Sequence, residues 1–165
     1  MIDLQEISKR AEIVDCLLSY TRGIDRLDKE SVISAFHPGA ILNNYGKEPI
    51  LIEDFVEYAL PSLQQRYTAT QHRVSNIRVE IKEDRALVES YVLAYHIESG
   101  EDSNRLHTFN GRYIDTFTFL DGHWKISERF LRNDWSKIDD ITNEMAGSSI
   151  WVKSSRDIDD PIYNF

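Results

Sequence analysis

The spacing of apolar residues changes from a helical to a strand period near residue 70. Before that point, Ile7, Ala11, Val14 and Leu18 recur at threes and fours, as do Leu17, Tyr20 and Ile24. That pattern predicts an amphipathic helix from residue 4 to about 24. Residues 28–36 read as a short second helix, capped by Asp28 and stopped by Pro38. Gly39 to Tyr45 predicts a strand. Ile52 to Gln65 reads as a third helix, with Pro61 as a kink or break.

Beyond Thr70 the alternation is twofold. Ile77, Val79 and Ile81 mark one strand, and Ala86 to Ile97 predicts a long one. Its pleat puts Val88, Val92, Ala94 and His96 on one face and Leu87, Tyr91, Leu93 and Tyr95 on the other. Apolar groups on both faces imply a sheet covered on both sides. A polar turn, Ser99 to Ser103, leads into a hairpin from Asn110 to Trp135 that turns at Asp121-Gly122. Tyr113, Asp115, Phe117 and Phe119 share one face of its first arm; Trp124, Ile126 and Phe130 share one face of the second. Helices followed by a meander of long strands predict an α+β domain over residues 1–140. Residues 141–165 form a tail of weak periodicity. Its Trp151, Tyr163 and Phe165 are too apolar for a solvated segment. The tail is expected to act as a pocket lid or interface segment, with Trp151 at the pocket mouth or across a subunit interface.

Composition narrows the function classes. The 165 residues suffice for one core without staples, and 41% hydrophobic with 28% charged content is that of a soluble domain. A formal net charge of -9 argues against nucleic-acid and anionic-membrane partners. The lone Cys16 reads as a small buried hydrophobe in a reducing compartment, and no apolar run reaches membrane-spanning length. A cytoplasmic location is expected.

Candidate chemistry is sparse. His72, His96, His107 and His123 do not fall at metal-ligand spacings, and the glycines form no phosphate loop. Asp25 closes the apolar end of helix 1, where it suits either a site at the core's edge or turn chemistry shared with Asp28. His72 opens the first long strand, as a catalyst or as a structural histidine. Arg129, Arg132 and Asp134 crowd the last strand, and Arg129 reads as part of a solvent-side ion-pair ladder.

Several stretches resemble the SnoaL-like branch of the nuclear transport factor 2-like superfamily. They are Leu17 to Asp28, His72-Arg-Val-Ser-Asn76, Ala86 to Tyr91, and Gly111-Arg-Tyr-x-Asp115 with Asp121-Gly-x-Trp124-Lys-Ile126. They run in order through residues 5 to 135. The resemblance implies a curved antiparallel sheet wrapped as a cone, an α+β barrel, around a pocket closed by the N-terminal helices. The lyases it includes, such as scytalone dehydratase, bile-acid 7α-dehydratase and hexachlorocyclohexane dehydrochlorinase, pair a helix-1 aspartate with a histidine at the start of the long sheet. Those positions match Asp25 and His72; a tyrosine and an arginine of the bile-acid enzyme match Tyr20 and Arg132. Where that enzyme has an acidic residue this chain has Ala94, with His96 two residues on.

The expectation is a cofactor-independent, dehydratase-like lyase or isomerase acting on a hydrophobic, cyclic small molecule. Asp25, His72, Tyr20 and Arg132 would be catalytic, and Tyr45, Val88, Val92, Ala94, His96 and Asn110 would line the pocket. No cofactor or metal is expected, and a homo-oligomer is, through the outer sheet face around Tyr91 and Tyr95. The alternative is a ligand-binding or subunit protein that keeps the fold without the chemistry.

Overall fold

A computed structural model describes residues 3–100, 103–141, 148–157 and 159–163. Phe165 of the expected tail cluster, and two residues of the Ser99–Ser103 turn, lie outside the described residues. Asp3 caps the first helix, α1 (Leu4–Arg26), by accepting the Glu6 N–H at 2.8 Å. Its buried stripe is Ile13, Leu17, Tyr20 and Ile24, whereas Ile7 and Leu18 stay exposed. Of the two apolar series in the sequence, the second therefore faces the core. Asp28 caps α2 (Lys29–Ser34), accepting from the Ser31 N–H at 3.0 Å and its hydroxyl at 2.6 Å. The two helices touch so closely that a Cβ on Gly23 would lie 2.7 Å from the Val32 nitrogen.

Pro38 does not end that helix from outside. It lies within β1 (Phe36–Asn43), because the chain is already extended at Phe36. After the short β2 (Ile50–Leu51), α3 (Ile52–Arg66) runs unbroken through Pro61. Four strands follow: β3 (Ala69–Lys82), β4 (Arg85–Glu98), β5 (Asn104–Leu120) and β6 (His123–Ile141). The sheet order is β2-β1-β6-β5-β4-β3. All neighbours are antiparallel except β1 and β6, so the curved sheet is mixed and open rather than a closed antiparallel barrel. The β5–β6 turn is at Asp121 and Gly122, both at positive φ (54° and 84°).

The concave face carries the core, with Trp124, Phe117, Ile126 and Val88 packed beneath α1 and α2. Two irregularities decide which side chains share it. In β3 the register slips between Ser75 and Arg78, where Asn76 adopts φ 49°. One extra residue reverses the alternation, so His72 and Val74 face inward before it and Ile77 and Val79 after it. In β6 the slip falls between Ile126 and Glu128, at Ser127. Arg129 and Leu131 then turn inward, while Phe130 moves to the outer face.

Candidate active site

The C-terminal turn of α1 brings Asp25 against the start of β3. Asp25 Oδ1 lies 2.7 Å from His72 Nδ1, and Asp25 Oδ2 accepts the His72 backbone N–H at 2.8 Å. The carboxylate therefore holds both the ring and the strand that carries it. The side chains of His72 and Asp25 retain 11% and 19% exposure, so the pair sits at a rim rather than in the core. With Nδ1 engaged, Nε2 is the ring nitrogen left to act.

His72 also lines an apolar cavity of about 280 Å³. Tyr20 and Ile24 of α1, Tyr45, and Phe55, Tyr58 and Leu63 of α3 form one side; Ala94, His96, Phe109, Tyr113 and Leu131 of the sheet form the other. His96 packs edge-on to His72 with ring centroids 5.1 Å apart. Burial, reinforced by the neighbouring His72, pulls the His96 pKa down to about 4, which makes its ring neutral at pH 7. At the opposite wall the Tyr20 and Tyr45 hydroxyls approach to 3.4 Å. Burial, with Tyr20 nearby, raises the pKa of both Tyr45 and Tyr113 well above the usual phenol value.

Four of the expected residues lie elsewhere. Val88 and Val92 face inward as the pleat of β4 requires, but they are buried in the core beneath the cavity. Asn110 pairs with Leu93 on the outer face. Arg132 is exposed on that face too, over the Phe130 ring at 5.6 Å, because the Ser127 bulge reverses the inward set of β6.

The same bulge overturns the solvent-side reading of Arg129. Its Nε and Nη2 donate to the two Asp115 carboxylate oxygens at 2.6 and 2.8 Å, with both side chains 0% exposed. The guanidinium carbon lies 4.0 Å from the Tyr113 ring centroid and 4.3 Å from that of Tyr20. Burial opposes both charges, but the charge and bidentate hydrogen bonds of Asp115 hold Arg129 protonated, its pKa above the ordinary value. Nη1 has no hydrogen-bond partner among the described residues. An inward aspartate at 115 in the sequence was a signal that a buried cation had to oppose it.

Two other groups complete the picture. The Cys16 thiol donates to the Ala35 carbonyl at 3.0 Å, and burial pushes its pKa up to about 12, as suits an inert packing residue. The tail does not place Trp151 over the cavity; that side chain is 55% exposed and lines no part of it. Instead Ser154, Ser155 and Arg156 line a second cleft beside Asp25 and His72. The Arg26 Nη1 holds them by donating to the Ser155 carbonyl at 2.9 Å and to Asp160 at 2.6 Å. Arg156 donates to the Tyr67 carbonyl at 3.2 Å and the Thr70 hydroxyl at 3.3 Å.

Among the described residues no helix is long and apolar enough to cross a membrane, and no cluster of three or more His, Cys, Asp or Glu is placed to hold a metal ion. No curated protein matches the chain significantly. Solved structures do. A hexachlorocyclohexane dehydrochlorinase of LinA type 2 superposes with TM-score 0.74 at 20% identity, covering 88% of this chain and 99% of that one. The LinA type 3 enzyme of Novosphingobium barchaimii LL02 gives 0.70 at 20%, over 88% and 96%. A candidate scytalone dehydratase of Novosphingobium aromaticivorans DSM 12444 gives 0.70 at 23%, over 85% and 95%. At such identities the likeness establishes the fold. The model of the SnoaL-like domain matches residues 5–130, from the first turn of α1 to the middle of β6. With the fold and the extent of that match in agreement, the chain belongs to the SnoaL-like family.

Proposed function

We propose that this protein is a lyase or isomerase of the dehydratase type, acting without a cofactor on a hydrophobic, cyclic small molecule. The observation that carries this reading is the Asp25–His72 contact at 2.7 Å on the wall of an apolar cavity. A carboxylate that accepts from Nδ1–H fixes the tautomer, stabilises the imidazolium that forms, and leaves Nε2 as a base toward the cavity. His72 removes an activated C–H proton, and the electron pair left behind expels a leaving group or shifts a double bond. Neutral His96 can orient the substrate by a hydrogen bond without competing for the proton. The Tyr20 and Tyr45 hydroxyls, at the opposite wall, are placed to polarise an oxygen on the substrate. The structural likeness to dehydrochlorinases, and to a candidate dehydratase, accords with this chemistry. The exposed outer-face residues Leu87, Tyr91 and Trp135 support a homo-oligomer built through the convex sheet.

The test is proton exchange. Cyclic ketones bearing a β-hydroxyl or β-halide are incubated with the protein in deuterated water and followed by NMR. Deuterium incorporation or elimination that disappears in His72→Ala supports the reading. Ligands that bind without exchange in the wild-type protein would make it a binding protein of the same fold.

A further inference from the structure

Beside Asp25 and His72 lies a second cleft of about 490 Å³ that shares His72 with the apolar cavity, and its charge is opposite to that of the chain. The protein carries a formal net charge of -9, yet this cleft is lined by Arg22 and Arg26 of α1, Arg73 of β3 and Arg156 of the tail. Asp25 is the one carboxylate among its described lining residues. Its two oxygens are already occupied by the ring nitrogen and backbone N–H of His72.

These arginines are also unusual in what they lack. Elsewhere Arg10, Arg66, Arg78, Arg105, Arg112 and Arg129 each lie within 4.0 Å of a carboxylate. Arg26 in the cleft is likewise neutralised by Asp160. Among the described residues Arg22, Arg73 and Arg156 have no such partner. Arg22 stacks on Tyr163 at 5.8 Å, Arg73 donates to the Gln71 amide oxygen at 2.7 Å, and Arg156 meets a carbonyl and a hydroxyl. Arg85 and Arg132 are also without a carboxylate within that distance, but neither lines this cleft. Asp25 and Asp28 act on Arg156 and Arg22 only beyond ion-pair distance, and partial burial outweighs Asp25 in lowering the Arg156 pKa. An anion in the cleft would offset that burial.

We propose that this cleft binds a phosphate group. A dianion with several acceptor oxygens matches the guanidinium forks lining this cleft and the Ser154 hydroxyl better than a carboxylate does. The group sits beside the dyad. It is either a free phosphate or the phosphate of a small organic ligand. The site does not depend on His72 acting as a base.

The test is a thermal-shift and calorimetric titration of the full chain with inorganic phosphate, phenyl phosphate and phenol, against sodium chloride at equal ionic strength. A saturable rise in Tm with inorganic phosphate, absent with chloride, is expected. Arg22→Gln and Arg73→Gln alter exposed side chains and leave folding intact; each should weaken phosphate binding by about tenfold or more. Phenyl phosphate binding tighter than both phosphate and phenol would assign the group to an organic ligand; binding equal to inorganic phosphate would assign free phosphate. A Tm rise that merely follows ionic strength, or an affinity unchanged in the Arg22→Gln/Arg73→Gln double variant, overturns the proposal. Neither readout involves turnover, so failure of the exchange reaction leaves this result standing.

Discussion

Two carboxylate contacts of almost the same length sit in opposite surroundings in this molecule. Asp115 and Arg129 meet at 2.6 and 2.8 Å with no exposure and aromatic rings on either side. Asp25 and His72 meet at 2.7 Å but keep access to solvent and to a cavity. A guanidinium cannot lose its proton in a protein, whereas an imidazole can take one up and give it away. A hydrogen-bond length therefore does not tell a structural pair from a candidate catalytic one. Burial and the chemistry of the partner do.

The sharpest way to break this contrast is to remove one partner from the buried pair. Asp115→Ala or Arg129→Met should each cost about 3–5 kcal/mol in unfolding free energy, because the charge left behind has neither water nor a partner. The double variant should recover most of that loss. Urea unfolding reads it directly. A single-variant cost below about 1 kcal/mol would mean that water reaches the pair, and the contrast would fail.

At the rim the expected effect moves from stability to rate. His72→Ala should lower turnover on any accepted substrate by about 10²–10⁴-fold, the range of a positioned general base. It should cost only about 1 kcal/mol of stability, the worth of a partly exposed hydrogen bond. A His72→Ala variant as unstable as Asp115→Ala would make the rim pair structural as well.

How much of this the sequence reveals depends on the alternation along the strands. The helices, the Asp121-Gly122 turn and the inward set Tyr113, Asp115 and Phe117 follow from local periodicity, which no distant contact had to override. The inward turns of Arg129 and Leu131 do not. They depend on the extra residue at Ser127, and a bulge leaves no periodic trace in the strand that carries it. The alternation groups Phe130 with Trp124 and Ile126 for the same reason, whereas Arg132 enters only through the resemblance. His72 presents the reverse case: the slip at Asn76 lets it share a face with Val79 although an odd number of positions separates them. Asparagine tolerates a left-handed backbone, so that position held a weak hint. The docking of Ser154 to Arg156 beside the dyad had no periodic signal, since isolated hydrogen bonds to Arg26, Tyr67 and Thr70 hold the tail.

The rim should also be the pH-sensitive half of the molecule. His96 is held near pKa 4 in the folded state, against the ordinary 6.5 it regains on unfolding. Between those values the unfolded chain binds the additional proton. Stability from this group is therefore full above pH 6.5 and falls as pH drops toward 4, by roughly 2–3 kcal/mol at about 1.4 kcal/mol per pKa unit. Melting followed from pH 7.5 to 4.5 measures it, and His96→Phe should flatten that part of the curve. An equally steep curve in the variant would assign the loss to other groups.

Tyr20 joins the two regions, and its hydroxyl should give the smallest effect. Its ring lies over Arg129 at 4.3 Å, while its hydroxyl reaches Tyr45 at 3.4 Å on the cavity wall. Phenylalanine keeps the stacking surface and removes only a contact at the long limit of hydrogen bonding. Tyr20→Phe should therefore change unfolding free energy by less than about 1 kcal/mol. Turnover should fall by only about tenfold, because the Tyr45 hydroxyl remains to polarise the substrate. Tyr20→Leu discards the ring as well and should add about 1–2 kcal/mol of instability through the exposed face of the buried guanidinium. If Tyr20→Phe destabilises as much as Tyr20→Leu, the hydroxyl rather than the ring supports the buried pair, and the division between the two regions lies at Tyr45 instead.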